Sequence, residues 1–227
     1  MPAADTVTSV FVKICGITDP ADAALVVDAG ADAIGVNFAV SRRRVTVEQA
    51  RAIAEVVPEG VLTVGIFRDH LADEVIEIVR AAGLDAAQLH GSETAATSRR
   101  VHAAVPLLFR AMSAADPALA DIDEHGADVV LLDAPVPGGG VPFDWTLVGD
   151  LTARHRVLLA GGLRPDNVAA AIAAVRPWGV DVASGVESAP GRKDAAAVRR
   201  FVAEARAAGA GETAAPHPPL VVDRNPV

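Results

Sequence analysis

Few side chains able to do chemistry stand at the end of an apolar run in this chain of 227 residues. Cys15, the single cysteine, closes the run Val10–Ile14, and Asp133 directly follows Val129–Leu132. A thiol and a carboxyl on opposite sides of a small substrate make a proton-transfer pair, one accepting and one donating. The plain alternative for Cys15 is a small buried apolar residue, the usual fate of a free cysteine. For Asp133 it is a capping or loop carboxylate, although an acid placed straight after four apolar residues needs a partner or a task. Gly161-Gly162 and Ser184-Gly185 let backbone N–H groups approach an oxyanion closely, or else form tight turns. Arg42-Arg43-Arg44 reads first as a solvated loop, yet one arginine at a strand end can clamp a carboxylate bidentately. His90 shares strand parity with Gln88, and a hydrogen-bonded strand-end histidine is its plainer role.

These residues need elements to bring them together. Runs rich in Val, Ile and Leu alternate with Ala/Glu/Arg-rich segments of helical period. Strands are expected at Val10–Ile14, Ala33–Val36, Leu62–Phe67, Ala86–Leu89, Leu107–Ala111, Val129–Leu132, Val157–Ala160 and Gly179–Val182. Helices are expected at Pro20–Ala29, Val47–Val57, Asp69–Ala82, Glu93–Ala104, Asp116–His125, Thr146–Ala153, Arg164–Val175 and Ala195–Ala208. Asp28–Asp32, Ala81–Asp85 and Glu124–Asp128 share one grammar, in which a helix ends at a left-handed glycine and a strand follows. Eight such units with strands apolar on both faces predict a closed (β/α)8 barrel of parallel strands. The turn after the first strand, Cys15–Pro20, has no G-x-G-x-x-G, which argues against an open dinucleotide-binding sheet. In a barrel the active site lies at the C-terminal strand ends, where Cys15, Arg42-Arg43-Arg44, His90, Asp133 and Asp181 fall. Strands 1 and 6 lie three steps apart, so Cys15 and Asp133 should face each other across the mouth. Gly161-Gly162 and Ser184-Gly185 occupy the loops after strands 7 and 8, where such barrels commonly hold phosphate.

Composition sets the outer limits. Hydrophobic residues make up 51% and aromatics 4%, with no Tyr, enough for a large core of Ala, Val, Leu and Ile. One cysteine excludes an intrachain disulfide framework and cysteine-cluster metal sites. No H-E-x-x-H, H-x-x-E-H or carboxylate cluster suggests a metal. The net charge of −9 argues against nucleic acid or anionic lipid as partner. No apolar run reaches the roughly 18 residues of a membrane span, and no signal segment opens the chain, so a cytoplasmic protein is expected. Residues 1–208 are read as one barrel domain and 209–227 as a Pro/Ala/Gly-rich tail in which Leu220–Val222 could dock.

Several segments in order resemble the phosphoribosylanthranilate isomerase family of tryptophan biosynthesis: Lys13–Thr18 (KICGIT), Gly30–Phe38, Ser41–Val45 (SRRRV), Gln88–Glu93 (QLHGSE), Leu131–Ala134, Phe143–Trp145, Leu159–Val168 (LAGGLRPDNV) and Val180–Asp194. The match spans about residues 10–205. The resemblance implies an Amadori rearrangement of N-(5-phosphoribosyl)anthranilate to 1-(2-carboxyphenylamino)-1-deoxyribulose 5-phosphate, without metal or organic cofactor. It implies Cys15 as general base and Asp133 as general acid. It implies Arg43 at the anthranilate part and Asp181 beside Cys15. His90 joins them as a substrate-binding candidate, Gly161, Gly162, Ser184 and Gly185 as phosphate-binding candidates, and Gly138, Gly139 and Gly140 as a lid. The chain departs from the family pattern with Arg42 in place of a proline, with Pro137–Gly140 lacking a loop hydroxyl, and at Asn37 and Ala183. The partner is a small phosphosugar, and the protein a monomer or homodimer.

Two other readings stay open. A related barrel isomerase of histidine biosynthesis would use paired aspartates at strands 1 and 5, where this chain has Cys15 and Arg110-Ala111; acceptance of both substrates is a variant of it. A non-catalytic phosphosugar-binding barrel would need neither Cys15 nor Asp133.

Overall fold

The computed structural model describes residues 10–133 and 146–210, together with 217, 220 and 222. Eight parallel strands close into a barrel in sequence order: β1 Phe11–Cys15, β2 Ala33–Asn37, β3 Leu62–Phe67, β4 Ala86–Leu89, β5 Leu107–Ser113, β6 Val129–Asp133, β7 Val157–Ala160 and β8 Gly179–Val182. The helices α1 Pro20–Asp28, α2 Val47–Ala54, α3 Ala72–Ala82, α4 Ala95–His102, α5 Thr146–Arg154, α6 Val168–Val175 and α7 Ala195–Gly209 follow the strands. One side-chain set of each strand packs outward on the helices, as Val12 and Ile14 do. The other fills the interior, with Ala33, Val64, Phe109, Leu131 and Leu158 among its members.

Local chemistry sets the element ends. Asp19 caps α1 by accepting from Asp22 N at 2.9 Å, with Pro20 in the first turn. Thr46 and Gln49 form a reciprocal capping box at α2. Gly30, Gly83 and Gly126 take positive φ after their helices, as the shared grammar requires. The aspartate two residues beyond each glycine has a second function. Asp32, Asp85 and Asp128 accept the backbone N–H of Val12, Thr63 and Leu108 at 2.7, 2.8 and 2.8 Å. Each ties the start of one strand to the strand before it.

Four expectations need correction. Asp116–His125 is not an α-helix: Pro117–His125 is 3-10 backbone with a kink at Asp121. Helix α3 starts at Ala72 rather than Asp69, because Asp69 sits at φ 56. Helices α4 and α6 begin two and four residues later than expected, at Ala95 and Val168. After β8 the chain forms a 3-10 turn, Ser184–Val186, and a short hairpin, β9 Glu187–Ala189 with β10 Arg192–Lys193, neither foreseen.

At the opposite end Phe11 stacks on Trp178 with ring centroids 4.3 Å apart. Leu220 and Val222 of the tail pack with them against the interior cluster. Deleting residues 211–227 uncovers this surface. The expected loss is about 1–3 kcal/mol, since full burial of one such side chain is worth roughly 1.5–3 kcal/mol and these two are half-buried. Thermal denaturation should shift down by a few degrees with kcat unchanged, because Leu220 and Val222 pack at the end of the barrel opposite the strand C-termini.

Candidate active site

The C-terminal mouth of the barrel holds a cavity of about 290 Å³. Its wall brings together Cys15, Arg43, His90, Asp133, Gly161, Gly162, Asp181, Ser184 and Gly185. These are all the expected site residues except Gly138, Gly139 and Gly140, which lie outside the described residues, as does Phe143–Trp145. Among the described residues no group of three or more His, Cys, Asp or Glu side chains could hold a metal ion.

Cys15 ends β1 and is partly exposed to the cavity. It pairs in register with Gly35 of β2. A Cβ on Gly35 would stand 3.0 Å from Cys15 Sγ and 3.0 Å from Ile66 Cδ1. Gly35 therefore makes room for the thiol, and Gly35→Ala should displace it by a few tenths of an ångström. Reaction geometry is unforgiving at that scale. Steady-state kinetics should show kcat about tenfold lower with KM little changed.

Beneath the thiol lies a buried ion pair. Lys13 Nζ contacts Asp181 Oδ1 at 2.8 Å, and the lysine side chain has no exposure at all. The strand register sets this contact, because Lys13 of β1 stands directly opposite Asp181 of β8. Burial would lower the Lys13 pKa, but Asp181 and the neighbouring Cys15 more than offset it and hold it above the ordinary value. For Cys15 burial wins: it pushes the thiol pKa up, against the downward pull of Lys13 and Lys193, and Asp181 adds to the rise.

The triple arginine resolves to its middle member. Arg42 and Arg44 are exposed, whereas Arg43 turns into the cavity. Asn37 and Ser41 fasten the loop that delivers it. Asn37 Nδ2 donates to Ser41 Oγ at 3.0 Å, which in turn accepts Arg43 N at 3.1 Å, while Asn37 Oδ1 accepts Ala39 N at 2.8 Å. Gly16, at φ 79, leaves the space that the arginine stem occupies.

His90 directly follows β4, and its backbone N–H bonds Phe67 O at 2.8 Å. Burial lowers its pKa, against the opposing pull of Asp133 and Asp181, so the imidazole is neutral at pH 7. The loop that carries it is anchored by Glu93, a buried carboxylate accepting from Asp69 N, Gly91 N and Arg110 Nη1 at 2.8–2.9 Å. Gly161 and Gly162 take φ 100 and 64 in the loop after β7. Asn167 takes up the Gly162 carbonyl at 3.1 Å and accepts Arg164 N at 2.7 Å, fixing that turn. A Cβ on Gly185 would collide with the Leu163 carbonyl, so the loops after β7 and β8 close on each other only because Gly185 has none.

The sequence reading passed over Glu187 and Lys193. Glu187 receives Arg43 Nε and Nη2, both at 2.7 Å, and Lys193 Nζ at 3.0 Å. Lys193 Nζ also donates to Cys15 O at 2.7 Å and Ala183 O at 3.2 Å. Their signal was two charges of opposite sign inside Val180–Asp194, a segment read for Asp181, Ser184 and Gly185.

The mouth thus sets a thiol and two carboxyls on separate strands around a space of sugar size, with cations exceeding anions among its paired groups. Such a cavity at the C-terminal strand ends of a (β/α)8 barrel is where enzymes of this fold carry their active site. Residues 12–204 match the family described as N-(5'-phosphoribosyl)anthranilate (PRA) isomerase. A relative of that name from Rubrobacter xylanophilus is 44% identical over 202 residues, covering 86% of this chain and 98% of its own. The crystal structure of phosphoribosyl anthranilate isomerase from Thermotoga maritima superposes with a TM-score of 0.79 at 36% identity, covering 87% of this chain and 99% of its own. A crystal structure of such an isomerase in complex with reduced 1-(o-carboxyphenylamino)-1-deoxyribulose 5-phosphate gives a TM-score of 0.78 at 36% identity, with the same coverage. The chain belongs to the N-(5'-phosphoribosyl)anthranilate isomerase family of tryptophan biosynthesis.

Proposed function

We propose that this isomerase rearranges N-(5-phosphoribosyl)anthranilate with Cys15 as general base and Asp133 as general acid. Asp133 gives a proton to the ribose ring oxygen as the C1′–O bond breaks and the nitrogen lone pair forms the C1′=N bond. Cys15 takes the C2′ proton, and the electron pair left behind forms the enolamine, which tautomerises to the ketone. Lys13 and Lys193 favour the thiolate electrostatically at the moment it is needed. The glycine loops after β7 and β8 hold the phosphate, Arg43 takes the ring carboxylate, and His90 and Asp181 line the sugar. Gly138, Gly139 and Gly140, outside the described residues, keep the lid role that the resemblance implies. The same reading places the enzyme in the cytoplasm, with residues 1–208 as the catalytic domain and 209–227 as an appended tail.

The observation that carries this reading is that Cys15 and Asp133 share one cavity with both glycine loops on its wall. The test follows the fluorescence of N-(5-phosphoribosyl)anthranilate with pure protein in EDTA. Turnover by the wild type is expected. Its absence, or its survival intact in both Cys15→Ala and Asp133→Ala, overturns the mechanism.

A further inference from the structure

We infer that Glu187 and Lys193 are positioning residues, a buried ion chain that sets the orientation and charge with which Arg43 meets the substrate's ring carboxylate. The inference rests on the assignment of Arg43 to that carboxylate. Arg43 uses Nε and Nη2 on Glu187, a fork-on-fork contact that fixes the plane of the guanidinium. Nη1 has no hydrogen-bond partner among the described residues, and the side chain lines the cavity. One edge is therefore locked and the other is left for an incoming carboxylate.

Charge matters as well as orientation. Glu187 alone would neutralise Arg43 and weaken its attraction for an anion. Lys193 offsets that charge, so the three groups together present one positive charge to the cavity. The Lys193 side chain has no exposure and that of Glu187 is 4% exposed, so water screens neither. Burial would raise the pKa of Glu187, but Arg43 and Lys193 outweigh it and hold the carboxyl below its ordinary value. All three ammonium protons of Lys193 are used, on Cys15 O, Ala183 O and Glu187. The chain thus also couples the carboxylate clamp to the backbone of the proposed base.

A purely structural role would be to hold the hairpin, but the hairpin has other fastenings. Thr18 Oγ1 donates to Gly191 O at 2.7 Å, Lys193 N to Asp22 Oδ2 at 2.8 Å and Asp194 N to Val186 O at 2.9 Å. None of these needs the Glu187 carboxylate.

The experiment compares kcat/KM for N-(5-phosphoribosyl)anthranilate and for N-(5-phosphoribosyl)aniline, which lacks the carboxylate. It is run on the wild type, on Glu187→Gln and on Glu187→Asp, the last keeping the charge but drawing the guanidinium back by one methylene. The wild type is expected to prefer the carboxylate substrate. Glu187→Asp should lose about tenfold or more of that preference, mainly through a higher KM for the anthranilate compound, and Glu187→Gln less, because removing the carboxylate also raises the positive charge that faces the substrate. Glu187→Asp keeps the result readable should Glu187→Gln fail to fold. Wild-type preference retained in every folded variant overturns this inference alone. A wild type that turns over both compounds equally overturns the assignment of Arg43, and this inference with it.

Discussion

Cys15→Ala is expected to lower kcat by about 10²–10⁴-fold, the range usual for a general base, while the product analogue still binds within about threefold. Among the described residues neither Arg43 nor the glycine loops proposed to hold the phosphate hydrogen-bond the thiol, so ground-state binding should survive. The pH profile gives an independent check. An ordinary thiol titrates near 8.5, and burial pushes Cys15 above its ordinary value despite Lys13 and Lys193. A base that must ionise before it acts then makes kcat/KM climb with pH well into the alkaline range. Cys15→Ala should remove that limb as well as the rate. Asp133→Asn should give a comparable fall, since an amide cannot protonate the ring oxygen. A Cys15→Ala enzyme with more than a tenth of wild-type kcat would move the base to His90. That imidazole lines the same cavity, and burial keeps it neutral and able to accept a proton at pH 7.

The barrel was legible because its strands are buried on both faces. Such strands read as unbroken apolar runs, and the eight expected strands match the eight observed to within two residues. Position along those runs also placed Cys15 and Asp133 at the mouth. What failed to show in the sequence depends on residues distant along the chain. Asp32, Asp85 and Asp128 looked like strand-leading acids, because the N–H groups they bind lie 20, 22 and 20 residues upstream. Gly35 carried no signal, since what it makes room for belongs to the neighbouring strand. The turning-in of Arg43 depends on Asn37 and Ser41; the three arginines look alike by themselves, and only the family resemblance singled out the middle one. The hairpin of Glu187 and Lys193 has strands of three and two residues, too short for any period to declare them.

Lys13→Met is expected to destabilise the protein by about 3–5 kcal/mol, a fall of roughly 10 °C in Tm. The substitution leaves the Asp181 carboxylate in the barrel without its hydrogen-bonded cation, and the lost term is the penalty of an uncompensated buried charge. The pair itself is a different matter. Replacing both partners by apolar side chains commonly restores stability, so Lys13→Met/Asp181→Leu should recover most of the loss in urea denaturation. It should not recover activity, because the cation with the largest downward pull on the Cys15 thiol is gone. The alkaline limb of kcat/KM should therefore move to higher pH in the double variant. Linkage supplies a further sign. The Lys13 pKa is raised in the folded state, so the stability it contributes is complete below the unfolded value near 10.4. That contribution fades as pH rises through the folded value. Wild-type protein should lose stability at strongly alkaline pH by an amount that Lys13→Met, with nothing to titrate at that position, does not share. A Lys13→Met protein as stable as wild type would mean that Asp181 finds another proton or partner in the barrel, and the charge arrangement beneath Cys15 would need to be redrawn.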